Sequence, residues 1–183
     1  MYLWFISSFI AYFIKGLCGF ANTLVFTSIL SFGTSNANIS PVDLLLGYPV
    51  NILLTWKNRK IHIHSSKPLL AVIRILSGVL CGLFGIGVLL AAYVSRITDN
   101  SSSFKANISA VFIIDNTFRI IIYSVLHIFT FDKIKISISL IPFTLLGIFS
   151  GLKYSYRADE KFVGKFTSAL LVLSGISLIL KNL

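Results

Sequence analysis

Six apolar runs divide the sequence, at about residues 3–32, 39–56, 69–94, 106–129, 136–152 and 162–180. A helix needs about 20 apolar residues to cross a bilayer core of about 30 Å, with a range of about 17–25. The second, fourth, fifth and sixth runs fit one crossing each. The first and third are too long for one straight crossing. At about 1.5 Å per residue, thirty residues would reach about 45 Å. These two runs must tilt, break or bend back. Both hold glycines where a break is expected: Gly16 and Gly19 in the first, and Gly78, Gly82, Gly85 and Gly87 in the third. Broken helices occur inside membranes where the freed backbone lines a cavity or is covered by protein.

Composition agrees. The chain of 183 residues is 56% hydrophobic and 12% charged, with a mean hydropathy of +0.89. Soluble domains carry about 25% charged residues. The expected fold is an all-α membrane protein, a multi-pass bundle of about six helices.

The net charge of +10 comes from sixteen Lys and Arg against six acids. Most of these charges lie between the apolar runs, where they set topology and meet anionic headgroups. A nucleic-acid surface would need a solvated basic face, and none is seen. The loop at 57–67, KNRKIHIHSSK, is the most basic and favours a cytoplasmic placement, which puts both termini in the cytoplasm if there are six crossings. The start, MYLWFISSFIAYFIK, has no basic region ahead of its apolar stretch and reads as the first membrane segment, not a secretory signal.

The polar residues inside the runs are the candidates for function. Asp115 and Arg119 lie four apart in KANISAVFIIDNTFRIIIYSVLHI, residues 105–128, so they share a helix face. Each costs about 2.5–3.5 kcal/mol at a helix centre, and pairing reduces that cost. One reading is a structural ion pair that locks helices together. The other is a cavity-lining site in which Arg119 meets an anion, because a guanidinium fork binds oxyanions in bidentate fashion. In that site Asp115 either holds Arg119 in place or takes a proton. Asn116 lies beside them.

Asn51 and Pro49 belong to the second run. Pro49 frees a backbone carbonyl, and Asn51 either bonds across helices or lines the cavity. Asn22 and Thr23 follow the first glycine pair. Lys15, just before Gly16, either faces the cavity as a second cation or snorkels to the interface. Asp43 follows Ser40-Pro41 and is read as complementing a helix N-terminus there. Pro142 receives the same reading. Gly147 and Gly151 have the G-x-x-x-G spacing of close helix contact.

Cys18 and Cys81 sit in apolar runs and form neither a disulfide framework nor a zinc spacing. His62 and His64 lack further ligands, so no metal site is expected. No catalytic constellation and no Walker loop are present, and neither enzyme activity nor a cofactor is expected.

The sequence also repeats itself. ANIS occurs at 37–40 and at 106–109, GLCG at 16–19 precedes the first copy, and GLFG at 82–85 precedes the second. LLLGYPVN at 44–51 then lies over IIDNTFRI at 113–120. This predicts two related Gly-rich repeats with broken helices within one membrane domain, a partial N-terminal repeat at 1–64 and a C-terminal repeat at 65–183. Many secondary transporters are built from two related halves with the substrate at their interface.

Several segments resemble the TauE/SafE family of sulfite and organosulfonate transporters. They are GVLCGLFGIGVLLAAY (78–93), FKANISAVFIIDNTFRIIIY (104–123), LIPFTLLGIFSG (140–151) and FTSALLVLSGISLIL (166–180). IKGLCGFANTLVFTSIL (14–30) and GYPVNILLTWKNRKI (47–61) look like the start of the family's N-terminal half. The resemblance implies a multi-pass permease of the cell membrane for a sulfur-containing or carboxylate anion. By position it matches Asn51 and Arg119 to polar residues of the two halves, and Gly16/Gly19 and Gly82/Gly85 to the Gly-rich turns. It implies a short form without the segment corresponding to the family's third and fourth helices. A homodimer would close the pathway of such a form.

The expected substrate-binding set is therefore Arg119, Asp115, Asn116, Asn51, Asn22, Gly16, Gly19, Gly82 and Gly85. The expected function is transport of a small anion such as sulfite or a sulfonate, with the lipid bilayer as surroundings. The alternative is a non-transporting truncated homologue, or a membrane subunit that packs with a partner.

Overall fold

The computed structural model describes residues 2–31, 33–57 and 101–155. The third and sixth apolar runs lie outside the described residues. So do Gly78, Gly82, Gly85, Gly87, Cys81, His62 and His64, and the boundary between the two repeats. Among the described residues there are five helices and no strand: α1 (Tyr2–Cys18), α2 (Asn22–Leu30), α3 (Asn36–Lys57), α4 (Ser101–Val125) and α5 (Phe131–Ser155).

The first run breaks where its glycines predict. Gly19 has φ +88° and Ala21 has φ +73°, so two left-handed residues flank Phe20. A right-handed helix cannot continue through them. The Gly19 N–H still bonds the Lys15 carbonyl at 2.7 Å, and the Ala21 carbonyl accepts the Val25 N–H at 3.1 Å. The chain then folds back. Trp4, at the start of α1, packs edge-on against Phe26 of α2 with ring centroids 5.8 Å apart. At nine residues α2 is about 13 Å long, well short of a crossing.

α3 begins earlier than Ser40-Pro41 suggests. The Ser35 carbonyl accepts the Asn38 N–H at 3.0 Å and the Ile39 N–H at 3.3 Å. Pro41 and Pro49 are both inside the helix. Asp43 therefore lies in the helix interior and is buried, not at its N-terminus. Pro142 is likewise interior to α5.

α4 ends in a left-handed His127, φ +51°, with the Ile128 N–H bonded to the Tyr123 carbonyl at 2.9 Å. This six-to-one closure is a Schellman stop. Lys133 of α5 ties the turn by donating to the Ile128 carbonyl at 3.0 Å.

α1 and α5 run parallel in close contact. Phe5 meets Phe143, Ser8 and Thr144 share a hydrogen bond at 2.8 Å, and Ser155 donates to the Leu17 carbonyl at 3.2 Å. The G-x-x-x-G spacing makes this approach available. A Cβ on Gly147 would lie 2.6 Å from the Phe9 carbonyl oxygen, and one on Gly16 would lie 2.7 Å from the Ile148 carbonyl oxygen. Gly151 sits against the Phe13 carbonyl and Gly16. Small residues are the usual means of such contact where lipid offers no hydrophobic drive between helices.

α3 and α4 run antiparallel. Ser40 and Tyr123 share a hydrogen bond at 3.1 Å, and further along α3 the Tyr48 hydroxyl lies 3.3 Å from that of Thr117, earlier on α4. Three segments, Ala37–Trp56, Ser103–Val125 and Phe131–Ser155, are long and apolar enough to cross a membrane. The outer faces of α4 and α5 expose Ile114, Phe118, Ile122, Ile138, Leu146 and Phe149. A helical membrane protein presents such faces to lipid.

Candidate functional site

The break between α1 and α2 opens beside α3 and α4. A cleft of about 50 Å³ lies there, and Lys15, Asn22, Asp43, Gly47, Asn51, Asp115, Asn116 and Arg119 are among its walls. Five of the expected residues, Asn22, Asn51, Asp115, Asn116 and Arg119, thus meet in one place. Gly16 lies in the contact between α1 and α5, and Gly19 makes the break; neither lines the cleft. Gly82 and Gly85 lie outside the described residues.

The Arg119 Nε lies 3.1 Å from Asp115 Oδ2, and both side chains keep about a fifth of their surface exposed. One helical turn brings them together, as the four-residue spacing predicts.

Lys15 is buried, with 1% of its surface exposed. It does not snorkel to an interface. Its ammonium donates to Asn22 Oδ1 at 2.9 Å and lies 5.9 Å from the ring centroids of Tyr12 and Phe112. Aromatic faces at this distance favour a cation.

Asp43 is the centre that sequence reasoning missed. Its Oδ1 accepts from the Tyr12 hydroxyl at 3.1 Å and the Asn22 amide at 3.0 Å, and its Oδ2 accepts from the Thr23 hydroxyl at 2.6 Å. These donors satisfy both oxygens of a buried carboxylate. The sequence carried a signal for it: Asp43, Gly47 and Asn51 follow one another at four-residue intervals, one stripe of α3. Gly47 keeps the stripe open. A Cβ there would lie 3.5 Å from the Tyr12 hydroxyl and 3.8 Å from Asn116 Nδ2.

Lys105 is a second omission. It is buried, and its ammonium donates to the Gly16 carbonyl at 2.9 Å and to the Ser155 hydroxyl. Gly16 is in the last turn of α1, where carbonyls lack helical partners and the helix dipole is negative. Lys105 therefore caps the broken end of α1 and joins it to α4 and α5. The Lys105 stem also packs on Gly19; a Cβ there would lie 2.8 Å from Lys105 Cγ.

The walls hold two cations and two carboxylates, with amides between them. Such a lining offers both charge and hydrogen-bonding groups to the cleft. Among the described residues, no group of three His, Cys, Asp or Glu side chains could hold a metal ion. The fold and cleft are those of a helical membrane protein with a polar site at a broken helix. Comparison with protein-family models, curated proteins and solved structures finds no match.

Proposed function

We propose that this protein is a membrane permease for a small anion, in the class of sulfite, sulfonates and carboxylates. The observation that carries the reading is that Arg119 and Lys15 line one cleft with Asn22, Asn51 and Asn116 at the break between α1 and α2. A guanidinium and an ammonium beside amides suit an oxyanion. Broken helices at such a site are the usual construction of secondary transporters. The resemblance to TauE/SafE transporters supports the same substrate class. The cell membrane is the matching location.

Uptake of labelled sulfite, and separately of a sulfonate such as taurine, into proteoliposomes tests this. Flux in the parent protein that falls by about 10- to 100-fold in Arg119→Gln supports a permease. No flux from a folded, inserted chain with either anion would favour a subunit that packs with a partner.

A further inference from the structure

We infer that Asn51 is a specificity residue that reads a hydrogen-bond donor on the substrate, so that the cleft selects an anion carrying a hydroxyl or an ammonium a short chain away from its charged group. The inference rests on the anion-binding reading above and narrows it to bifunctional anions.

Much of the polar wall is already engaged. Asn22 accepts from Lys15 and donates to Asp43, and Asp43 also receives the Tyr12 and Thr23 hydroxyls. Asn51 differs. Its side chain is 1% exposed and lines the cleft, yet its Oδ1 has no hydrogen-bond partner among the described residues. Its backbone carbonyl is used separately, by the Thr55 hydroxyl at 2.9 Å. Folded proteins leave few buried acceptors unmet, and such a group in a cleft wall is met by water or by a ligand. Ser28, Asn107 and Ser109 also hold buried atoms without a partner among the described residues, but none of them lines the cleft.

The kind of atom decides the chemistry. A fully ionised oxyanion only accepts hydrogen bonds. It can serve the Arg119 guanidinium and the N–H groups of amides, but not a carboxamide oxygen. A hydroxyl or an ammonium on the same ligand can.

The placement of the groups suits a ligand with two ends. α3 and α4 are antiparallel, with Ser40 level with Tyr123 and Tyr48 level with Thr117. Carried on from these pairs, Asn51 comes level with Asp115. Arg119 enters from one helical turn further along α4, about 6 Å away. The acceptors Asn51 Oδ1 and Asp115 thus share one level of the cleft, and the guanidinium reaches in from the next. A two-carbon chain between the charged group and the donor matches that spacing.

The test equilibrates the full chain, in lipid nanodiscs, with three labelled sulfonates of equal heavy-atom count: isethionate, taurine and propanesulfonate. They carry a hydroxyl, an ammonium and a methyl group at the same place. The hydroxyl or the ammonium ligand is expected to bind about 10- to 100-fold more tightly than the methyl one. Which of the two does so identifies the donor. Asn51→Leu should bring all three to the affinity of propanesulfonate in the parent, and Asn51→Asp, which keeps an acceptor, should retain the gap. A merely structural Asn51 would move the three affinities together. Equal affinities in the parent would mean that water meets Asn51; they would overturn the inference and leave the anion site standing. A gap that survives Asn51→Leu would overturn it as well. No binding of any of the three by the folded chain would sink the anion site itself, and this inference with it.

Discussion

The Lys15 ammonium and the Asp43 carboxylate are joined through a single amide. Asn22 accepts from Lys15 at 2.9 Å and donates to Asp43 at 3.0 Å. Three helices are bound by this chain of contacts, one each from α1, α2 and α3. It holds the hairpin of α1 and α2 against α3 and aims a buried cation at the cleft.

Asp43→Asn should therefore destabilise the protein more than Lys15→Met. Removing the acid leaves a buried ammonium without its counter-charge, at a cost of about 3 kcal/mol. The double variant removes both charges and should recover part of that loss. Thermal unfolding in detergent measures all three; additive losses would mean that Lys15 and Asp43 are not coupled.

At Arg119 the expected effect falls on binding. Arg119→Gln should weaken uptake by about 10- to 100-fold, the worth of a charged hydrogen bond. Arg119→Lys should restore only part, because an ammonium cannot make the bidentate contact. Full activity in the lysine variant would show that charge alone is read.

Gly47 offers a steric test. Gly47→Ala adds a methyl group in ordinary contact with its neighbours. Gly47→Leu fills the cleft. Uptake should survive the first and fail in the second, with both variants folding. Equal uptake in the leucine variant would place the pathway elsewhere.

Gly151→Ala should cost about 1–3 kcal/mol or more, since its Cβ would press on the backbone of α1, which cannot move aside without separating the helices. Gly33→Ala is the control, with only the end of the Leu3 side chain near by, at 3.9 Å. The unfolding midpoint of the first should drop by several degrees and that of the second should hold.

The helix break has an improvable residue. Ala21 is left-handed at φ +73°, where an L side chain costs about 1–2 kcal/mol. Ala21→Gly should raise the unfolding midpoint by relieving that cost. Gly19→Ala should lower it, through both the positive φ and the Lys105 stem. A lower midpoint for Ala21→Gly would mean that the strain is offset by chain entropy.

The membrane class was legible in the sequence because length and hydropathy alone decide whether a segment can sit in lipid. The break in the first run was legible for the same reason: thirty apolar residues exceed the bilayer, and Gly19 marks where the backbone can turn. The Asp115–Arg119 pair was legible because one helical turn is a local rule. Asp43 was misplaced because Ser-Pro ahead of it imitates a helix start, while the helix in fact begins at Asn36.

Lys15 was open between two roles, and only tertiary structure decided it. Among the described residues, the sequence by itself determined which segments are helical, where the first run breaks and which polar residues lie within them, all properties of hydropathy and backbone sterics over a few turns; the helix ends it did not fix. It could not determine that Asp43 receives Tyr12, Asn22 and Thr23, or that Lys105 caps the end of α1. Those contacts depend on how helices apolar on nearly every face are rotated and paired. Hydropathy carries no preference among such arrangements, so small residues and buried hydrogen bonds choose between them.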